Sequence, residues 1–229
     1  VQLASGMVQG AQRWHSQDTA LHRRRTMVRW LQGLRVCRRL EERTNQLIQL
    51  LMPDNLYWEE FYARHTDDRR LFKPTQFCEF IMDHFKGTPN LNILDAGCGT
   101  GRDAIALARI HKVTGVDLVE LPDTKDITFA KADFCSYDKT NFDLIYSRFT
   151  YHTINDTQQD VFLDSIKKPN TFLCMEFRSD KDQDVPLHFG KTHYRNFINL
   201  DKFKHKVKRK FDIIYVNEDK GFAPFGDED

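Results

Sequence analysis

One segment constrains the fold more than any other, because an apolar run ends in an acid and passes directly into closely spaced glycines. Residues 91–94 (Leu-Asn-Ile-Leu) predict a buried strand of a parallel sheet. After this strand come Asp95, Ala96, Gly97, Cys98, Gly99, Thr100 and Gly101. Glycine lets the backbone turn sharply and approach a ligand closely. The apolar period and alanine content of residues 102–110 then predict a helix.

Strand and helix patterns alternate along the rest of the chain. Further strands are predicted at residues 113–116, 127–130, 142–146, 171–177 and 211–216. Helices are predicted at residues 157–166 and 200–208, with two short ones inside residues 56–87. This alternation is typical of an α/β fold with a doubly wound, mostly parallel, Rossmann-like sheet. We assign residues 53–229 to one such domain.

The spacing of the glycines separates this loop from a dinucleotide site. It reads G-x-G-x-G, whereas the loop that holds a pyrophosphate on a helix N-terminus reads G-x-G-x-x-G. A cofactor without phosphates therefore fits the loop better. The alternative is an ordinary strand–turn–helix in which the glycines serve only to make the turn tight.

Two later acids follow strands at positions suited to a nucleoside. Asp117 ends the strand 22 residues after Asp95, with Leu118 next, and its carboxylate is suited to accept both ribose hydroxyls. Asp133 and Phe134 follow the third strand, where an acid suits an adenine amino group and a backbone N–H a ring nitrogen. Each acid alone also reads as a surface residue at a strand end.

Together these segments resemble the first three motifs of class I S-adenosylmethionine-dependent methyltransferases, and residues 141–147 resemble the fourth. The resemblance spans about residues 57–216 and implies S-adenosylmethionine as the cofactor. The expected contacts are Asp95 with the ammonium, loop N–H groups with the carboxylate, and Cys98, Leu118 and Ser147 beside the cofactor. It also implies the strand order 3-2-1-4-5-7-6. No apolar seventh strand follows residues 211–216, so we expect a truncated sequence or a differently completed sheet.

The aromatic segment at residues 57–64 resembles the lid that such enzymes lay over the cofactor. Aromatic faces suit a sulfonium cation and adenine. We expect Tyr57 and Tyr62 near the cofactor and Arg64 at its carboxylate. The alternative is that these aromatic side chains form helix core.

Polar residues after the fourth and fifth strands are the candidates for the acceptor side. Open α/β sheets bind ligands at the carboxyl ends of their strands. Methyl transfer to an alcohol needs a base, and His152 is the first candidate, although a packed histidine is equally consistent. Further catalytic candidates are Glu176 and Arg178. An anion- or sugar-binding rim is predicted from Arg148, Asp180, His193, Tyr194 and Arg195, with structural polar contacts as the alternative.

Residues 146–152, 177–182 and 193–197 are similar to methyltransferases of bacterial capsule and O-antigen assembly. That similarity implies O-methylation of a saccharide or phosphosaccharide, such as the end of a surface polysaccharide. It also implies a cytoplasmic enzyme, with attachment to the inner membrane through an assembly complex as a variant. The alternatives are a small-molecule O-methyltransferase and a non-catalytic, oligomeric scaffold that binds S-adenosylmethionine. Intact Asp95, Asp117 and Asp133 argue against the scaffold.

Residues 1–52 have a separate character, being rich in arginine and glutamine with apolar residues at helical steps. Seven-residue steps, such as Trp30 to Cys37, indicate either a homo-oligomerising coiled coil or a single amphipathic helix packed on the domain. The formal net charge of +1 gives no indication of a DNA partner. The sequence contains no run of 18 apolar residues, so no membrane span is predicted. Five cysteines without a CxxC pair indicate free thiols and no metal site.

Overall fold

A parallel sheet with helices on both faces forms the centre of the structure. The computed structural model describes residues 54–65, 71, 73–88, 90–121, 124–182 and 195–219. The predicted N-terminal helix or coiled coil at residues 1–52, and the domain boundary after it, lie outside them. The strands are β1 (Asn92–Ala96), β2 (Lys112–Asp117), β3 (Ile127–Lys131), β4 (Leu144–Arg148) and β5 (Phe172–Glu176). The helices are α1 (Asp54–Arg64), α2 (Gln76–His84), α3 (Arg102–Leu107), α4 (Asp156–Ser165) and α5 (Leu200–Val207).

The sheet has the order β3-β2-β1-β4-β5, and every pair of neighbouring strands is parallel. In the register at its centre, Ile93 of β1 pairs with Val113 of β2 and with Leu144 of β4. The sheet therefore starts at β1 in its centre and extends through β2 to β3 on one side. The chain then crosses back and adds β4 and β5 on the other side of β1. This reversal places the ends of β1 and β4 side by side, where doubly wound sheets bind ligands. The predicted fold class is confirmed.

Alternation along the central strands divides the core into two clusters, one on each face of the sheet. Leu94 and Ile145 face one side, where Phe162 of α4 packs. Ile93 and Leu144 face the other side, together with helices α2 and α3. Because both faces are covered, the central strands are apolar on both sides, which explains their continuous hydrophobic runs.

The predicted strand at residues 211–216 is wrong. Phe211 and Ile213 pack against the core, whereas Ile214 is 78% exposed and Tyr215 is 63% exposed. The alternating burial expected of a strand therefore breaks at Tyr215. These residues also pair with none of the described strands.

The ends of the other elements follow from local chemistry. Asn155 caps α4 by accepting the Gln158 N–H at 2.9 Å, and the Gln158 side chain accepts the Asn155 N–H at 3.0 Å. Thr75 caps α2 by accepting the Cys78 N–H at 3.1 Å. Each cap satisfies a donor that the first helical turn leaves without a partner. Among the described residues, no helix combines the length and the apolar character needed to cross a membrane.

Replacement of the cap gives a direct test of this local account. We expect Asn155→Ala to lower the free energy of unfolding by about 1 kcal/mol, because the Gln158 N–H loses the side-chain oxygen that accepts it. The measurement is chemical denaturation of the variant against the unmodified chain. Asn141→Ala is the matched control, since Asn141 is exposed and caps no helix. Equal losses in the two variants would contradict the capping account.

Candidate functional site

A cavity lies at the carboxyl ends of β1, β2 and β4, covered by the aromatic face of α1. We call it the cofactor cavity. Thirteen of the residues predicted for the site line it: Tyr57, Tyr62, Asp95, Gly97, Cys98, Gly99, Asp117, Leu118, Phe134, Arg148, His152, Arg178 and Arg195. The fold therefore brings together predicted residues from seven separate stretches of the chain.

Positive φ angles in the glycine loop make room for two side chains that pack directly on the backbone. Gly97 has φ +79°, and a Cβ atom there would lie 2.0 Å from Cγ2 of Thr150. Gly99 has φ +56°, and a Cβ atom there would lie 2.5 Å from the hydroxyl oxygen of Tyr62. Gly101 ends the loop at φ +75° and is the N-cap of α3. The loop thus needs glycine both for conformation and for space.

Two acids at strand ends face the cavity, and they differ in how fully their carboxylate oxygens are hydrogen-bonded. Asp117 accepts the Gly99 N–H at 2.8 Å and the Val119 N–H at 3.1 Å. Asp95 is 2% exposed, and its Oδ2 atom has no hydrogen-bond partner. Burial, reinforced by the carboxylates of Asp103 and Asp117, raises the pKa of Asp95 well above its usual range. A cation bound beside Asp95 would reverse that shift.

Asp133 does not line the cavity, contrary to its predicted role at adenine. Its carboxylate accepts the Cys135 N–H at 2.9 Å and the Ser136 hydroxyl at 3.1 Å, so it stabilises its own turn. The neighbouring Phe134 does line the cavity and is buried, with 8% exposure. The turn therefore presents an apolar ring to the cavity, where an acid was expected.

Of the residues predicted for the lid, Tyr57 and Tyr62 line the cavity and Arg64 does not. Tyr62 lies over Gly99, and its ring stacks at 6.0 Å on Trp58, which also lines the cavity. Burial and the Asp117 carboxylate raise the pKa of Tyr62, so its hydroxyl keeps its proton. Arg64 is exposed and forms an ion pair with Glu60 one helical turn earlier. Arg64 is the last residue of α1 and its guanidinium is held by Glu60, so it does not line the cavity.

Arg102 is the cationic residue that sequence reasoning missed at this end of the cavity. It begins α3 directly after the glycine loop and lines the cavity. Burial, with a contribution from nearby Arg148, lowers the pKa of its guanidinium. A sequence signal existed, because the first helical residue after such a loop points toward whatever the loop binds.

A buried network supports the floor of the cavity. Asp103 accepts the Thr75 N–H at 2.8 Å, the Thr75 hydroxyl at 2.8 Å and the Tyr146 hydroxyl at 2.7 Å. Asp103 and Tyr146 both line the cavity. The network joins α2, α3 and β4, and its donors compensate the carboxylate for lost water. Nothing in the local sequence around Asp103 predicts partners 28 and 43 residues away.

The opposite end of the cavity is built around Phe149, which adopts a left-handed backbone conformation with φ +57°. A non-glycine residue in this region is strained, and such strain is concentrated at functional sites. The guanidinium of Arg148 lies 4.2 Å from the Phe149 ring centroid, and that of Arg178 lies 5.3 Å away. The phenyl ring thus holds two cations at the cavity wall.

Carboxylates behind this wall hold the two arginines. Arg148 forms an ion pair with Glu176 at 2.7 Å, with 11% and 15% of the side chains exposed. Arg178 pairs with Asp182 at 3.3 Å. Glu176, predicted as catalytic, therefore acts behind Arg148 and does not line the cavity. Burial raises its pKa, and Arg148 opposes that shift.

His152 lines the cavity and is 3% exposed. Its Nδ1 atom accepts the backbone N–H of Arg178 at 3.4 Å. A neutral imidazole that accepts at Nδ1 carries its proton on Nε2. In this tautomer Nε2 is a donor and has no lone pair for a proton.

Four other predicted residues lie away from the lining, and two cannot be placed. Ser147 is buried and shares a hydrogen bond of 2.6 Å with the Thr150 hydroxyl. Asp180 accepts from the Asn199 side chain at 2.7 Å. Gly101 and Glu176 support neighbouring residues, as described above. His193 and Tyr194 lie outside the described residues.

A family model described as a methyltransferase domain matches residues 62–212. The chain belongs to this methyltransferase family. The match includes the glycine loop, both strand-end acids that line the cavity, and the wall around Phe149. No curated protein matches the sequence significantly.

Several solved methyltransferases are similar to this chain at low sequence identity. A Burkholderia thailandensis 1,6-didemethyltoxoflavin-N1-methyltransferase, solved with 1,6-didemethyltoxoflavin and S-adenosylhomocysteine, is 19% identical with a TM-score of 0.51, covering 67% of this chain and 75% of that one. The methyltransferase domain of bacterial CtHen1 is 16% identical with a TM-score of 0.49, covering 65% and 93%. A methyltransferase from Aquifex aeolicus is 20% identical with a TM-score of 0.43, covering 59% and 79%.

Family membership and fold bear out the predicted cofactor, S-adenosylmethionine. The cavity also fits it on its own chemistry. The unpartnered Oδ2 atom of Asp95 suits an ammonium group, the backbone of Gly97 and Gly99 permits close approach, and the α1 aromatics suit a sulfonium. The acceptor of the methyl group is not specified by the family.

Packing of Tyr62 on the loop gives a test with a matched control. We expect Gly99→Ala to weaken S-adenosylhomocysteine binding by at least about tenfold, because the new Cβ displaces Tyr62 and strains a positive φ. Gly87→Ala should leave affinity unchanged, since a Cβ there meets nothing within 4 Å. Isothermal titration calorimetry measures both. Full affinity in Gly99→Ala would show that the close packing is unnecessary.

Proposed function

We propose that the chain is an O-methyltransferase that transfers the methyl group of S-adenosylmethionine to an anionic oxygen, such as the phosphate of a phosphosaccharide. The observation that carries this proposal is a cluster of three arginines that line the cofactor cavity, Arg148, Arg178 and Arg195, the first two with their guanidinium groups against the Phe149 ring. Arginine binds phosphate and carboxylate groups in a planar, bidentate geometry. The cluster supports an anionic acceptor more than a neutral one.

The two ends of the cavity differ in charge in a way that suits the two substrates. The acids Asp95 and Asp117 stand at the glycine-loop end, where a cofactor with ammonium and sulfonium groups is expected. When bound, S-adenosylmethionine supplies an electrophilic methyl group on a positive sulfur. The protein must then hold the acceptor oxygen in line with that methyl group, which is a task of positioning.

Arg102 is the best candidate for the cofactor's carboxylate, the role predicted for Arg64. It lines the cavity between the glycine loop and Arg148, whereas Arg64 is exposed on α1. A buried guanidinium also balances the negative charge of Asp95 and Asp103. Arg102 therefore has a supporting electrostatic role even before a ligand binds.

The pair Arg102 and Arg64 allows a controlled comparison. We expect Arg102→Met to weaken S-adenosylhomocysteine binding by about tenfold or more, the order expected when a charged hydrogen bond is lost. Arg64→Met should change affinity little, because an exposed ion pair contributes little energy. Calorimetry on both variants decides. A larger loss in Arg64→Met would restore the original assignment.

The tautomer of His152 favours a binding role over a role as general base. With Nδ1 accepting from Arg178, the neutral ring donates from Nε2. A phosphate monoester has a second pKa of about 6 and is already anionic at neutral pH. Its oxygen attacks as an anion, the carbon–sulfur electron pair returns to sulfur, and no proton has to be removed. We propose that His152 donates a hydrogen bond to the acceptor.

Two alternatives from the sequence remain. In a small-molecule O-methyltransferase with a neutral alcohol acceptor, His152 would act as the predicted base. In a non-catalytic scaffold, the site would bind S-adenosylmethionine without turnover. The cluster of arginines favours the anionic acceptor over the first, and the intact cavity disfavours the second. Cytoplasmic location and oligomerisation through residues 1–52 stay predictions.

A screen with labelled S-adenosylmethionine tests the proposed function. Acceptors are paired glycans with and without a terminal phosphate, together with lipid-linked sugars and simple alcohols. We expect label on the phosphorylated member of a pair only. Label on neutral alcohols alone would favour the small-molecule reading. Binding of S-adenosylhomocysteine with no transfer to any acceptor would support the scaffold.

Substitution of His152 separates the two roles of its ring. We expect His152→Ala to reduce transfer at least about a hundredfold, in the range of a lost catalytic contact, with S-adenosylhomocysteine affinity unchanged. His152→Gln should retain part of the activity, because its amide still donates a hydrogen bond. The turnover rate should not fall at low pH as it does when a histidine base is protonated. Complete loss in both variants, with such a pH dependence, would establish the base.

A further inference from the structure

We infer that Lys139 is a positioning residue for cofactor binding, because its ammonium holds the turn that places Phe134 against the cofactor cavity. Lys139 lies outside the cavity and touches no substrate in this scheme. The inference rests on the proposed function, since it takes the Phe134 wall as part of the cofactor's binding site.

Lys139 is fully buried, which is rare for a lysine. Its Nζ atom donates to three backbone carbonyl oxygens: that of Phe134 at 2.7 Å, that of Tyr137 at 3.0 Å and that of Cys135 at 3.2 Å. It also lies 5.0 Å from the ring centroid of Phe162 in α4. All three donors of the ammonium are thus used, and an aromatic face partly replaces lost water.

The turn needs this ammonium because its connection lacks a helix. Residues 132–143, all of which the structure describes, join β3 to β4 by turns and contain no helix. A crossover between parallel strands usually contains a helix that satisfies its own carbonyl groups. Here the carbonyls of Phe134, Cys135 and Tyr137 converge on one point, and they would repel one another without a cation between them. Buried carbonyls without partners are costly.

The same turn forms one wall of the cavity. The shortest of the three bonds is to the carbonyl of Phe134, the residue whose ring lines the cavity. That ring meets Phe162 edge to face at 5.8 Å, so the ammonium and the phenyl ring rest on the same side chain of α4. Loss of the ammonium would free the turn and shift Phe134. The Asp133 carboxylate stabilises only the first bend.

The charge state of Lys139 adds a second measurable effect, the dependence of cofactor affinity on pH. Burial lowers the pKa of Lys139 to about 8, while Cys135, Asp133 and Asp138 of the same loop act in the opposite direction. Helix α4 contributes the aromatic ring of Phe162. A neutral amine donates only two hydrogen bonds, so one carbonyl loses its partner when the proton leaves. Cofactor affinity should therefore fall as the pH rises through about 8.

The test compares Lys139→Met with Lys167→Met, an exposed lysine close to the same loop. Calorimetry measures binding of S-adenosylhomocysteine and of 5′-methylthioadenosine between pH 7 and pH 9.5. We expect Lys139→Met to weaken both ligands by about tenfold at pH 7, with no further change as the pH rises. Equal losses for the two ligands are expected, because the shifted wall faces the adenosine part that they share.

The unmodified chain and Lys167→Met should bind tightly at pH 7 and lose affinity above pH 8. A folded Lys139→Met, as judged by its melting transition, with unchanged affinity for both ligands would overturn the inference. If that variant does not fold, a pH-independent affinity of the unmodified chain would overturn it. Failure of the unmodified chain to bind S-adenosylhomocysteine at any pH would instead overturn the proposed function, and this inference with it.

Discussion

The hydrogen bond from the Gly99 N–H to the Asp117 carboxylate, at 2.8 Å, is the contact on which the site depends. It ties the loop after β1 to the end of β2 and fixes the backbone at a positive φ. Tyr62 rests on that backbone, so the position of the lid follows from it. The cost of burying Asp117 is visible in its raised pKa, which the backbone donors of the loop partly offset.

The order of the strands in the sheet determines how charge is distributed along the cavity. The acids at the ends of β1 and β2 lie at one end, and the arginines that follow β4 and β5 lie at the other. Because β1 and β4 are neighbours, the two groups of charges meet across a single strand boundary. Methyl transfer needs this juxtaposition, since a cationic cofactor and an electron-rich acceptor must be held in line.

Comparison of particular residues shows where sequence reasoning succeeds. Asp95, Gly97, Gly99 and Asp117 line the cavity as expected, because they stand at or just after strand ends, and parallel strands bring such ends together. Arg64 does not line it, because it ends α1 and its guanidinium is held by Glu60. Asp133 does not line it either, because a short acidic side chain in a turn can satisfy nearby N–H groups. The strand predicted at residues 211–216 is not formed, because an apolar segment becomes a strand only beside a partner strand.

By itself the sequence determined the fold class, the position of the glycine loop and the cofactor, because these depend on local patterns within a few residues. Only the tertiary structure decided which side chains share the cavity. Asp103 meets Tyr146 across 43 residues, Arg148 and Arg178 both contact the Phe149 ring, and Lys139 meets three carbonyls in a turn without a helix. Such partnerships depend on packing between elements, and the free energy of a buried charge depends on every group around it.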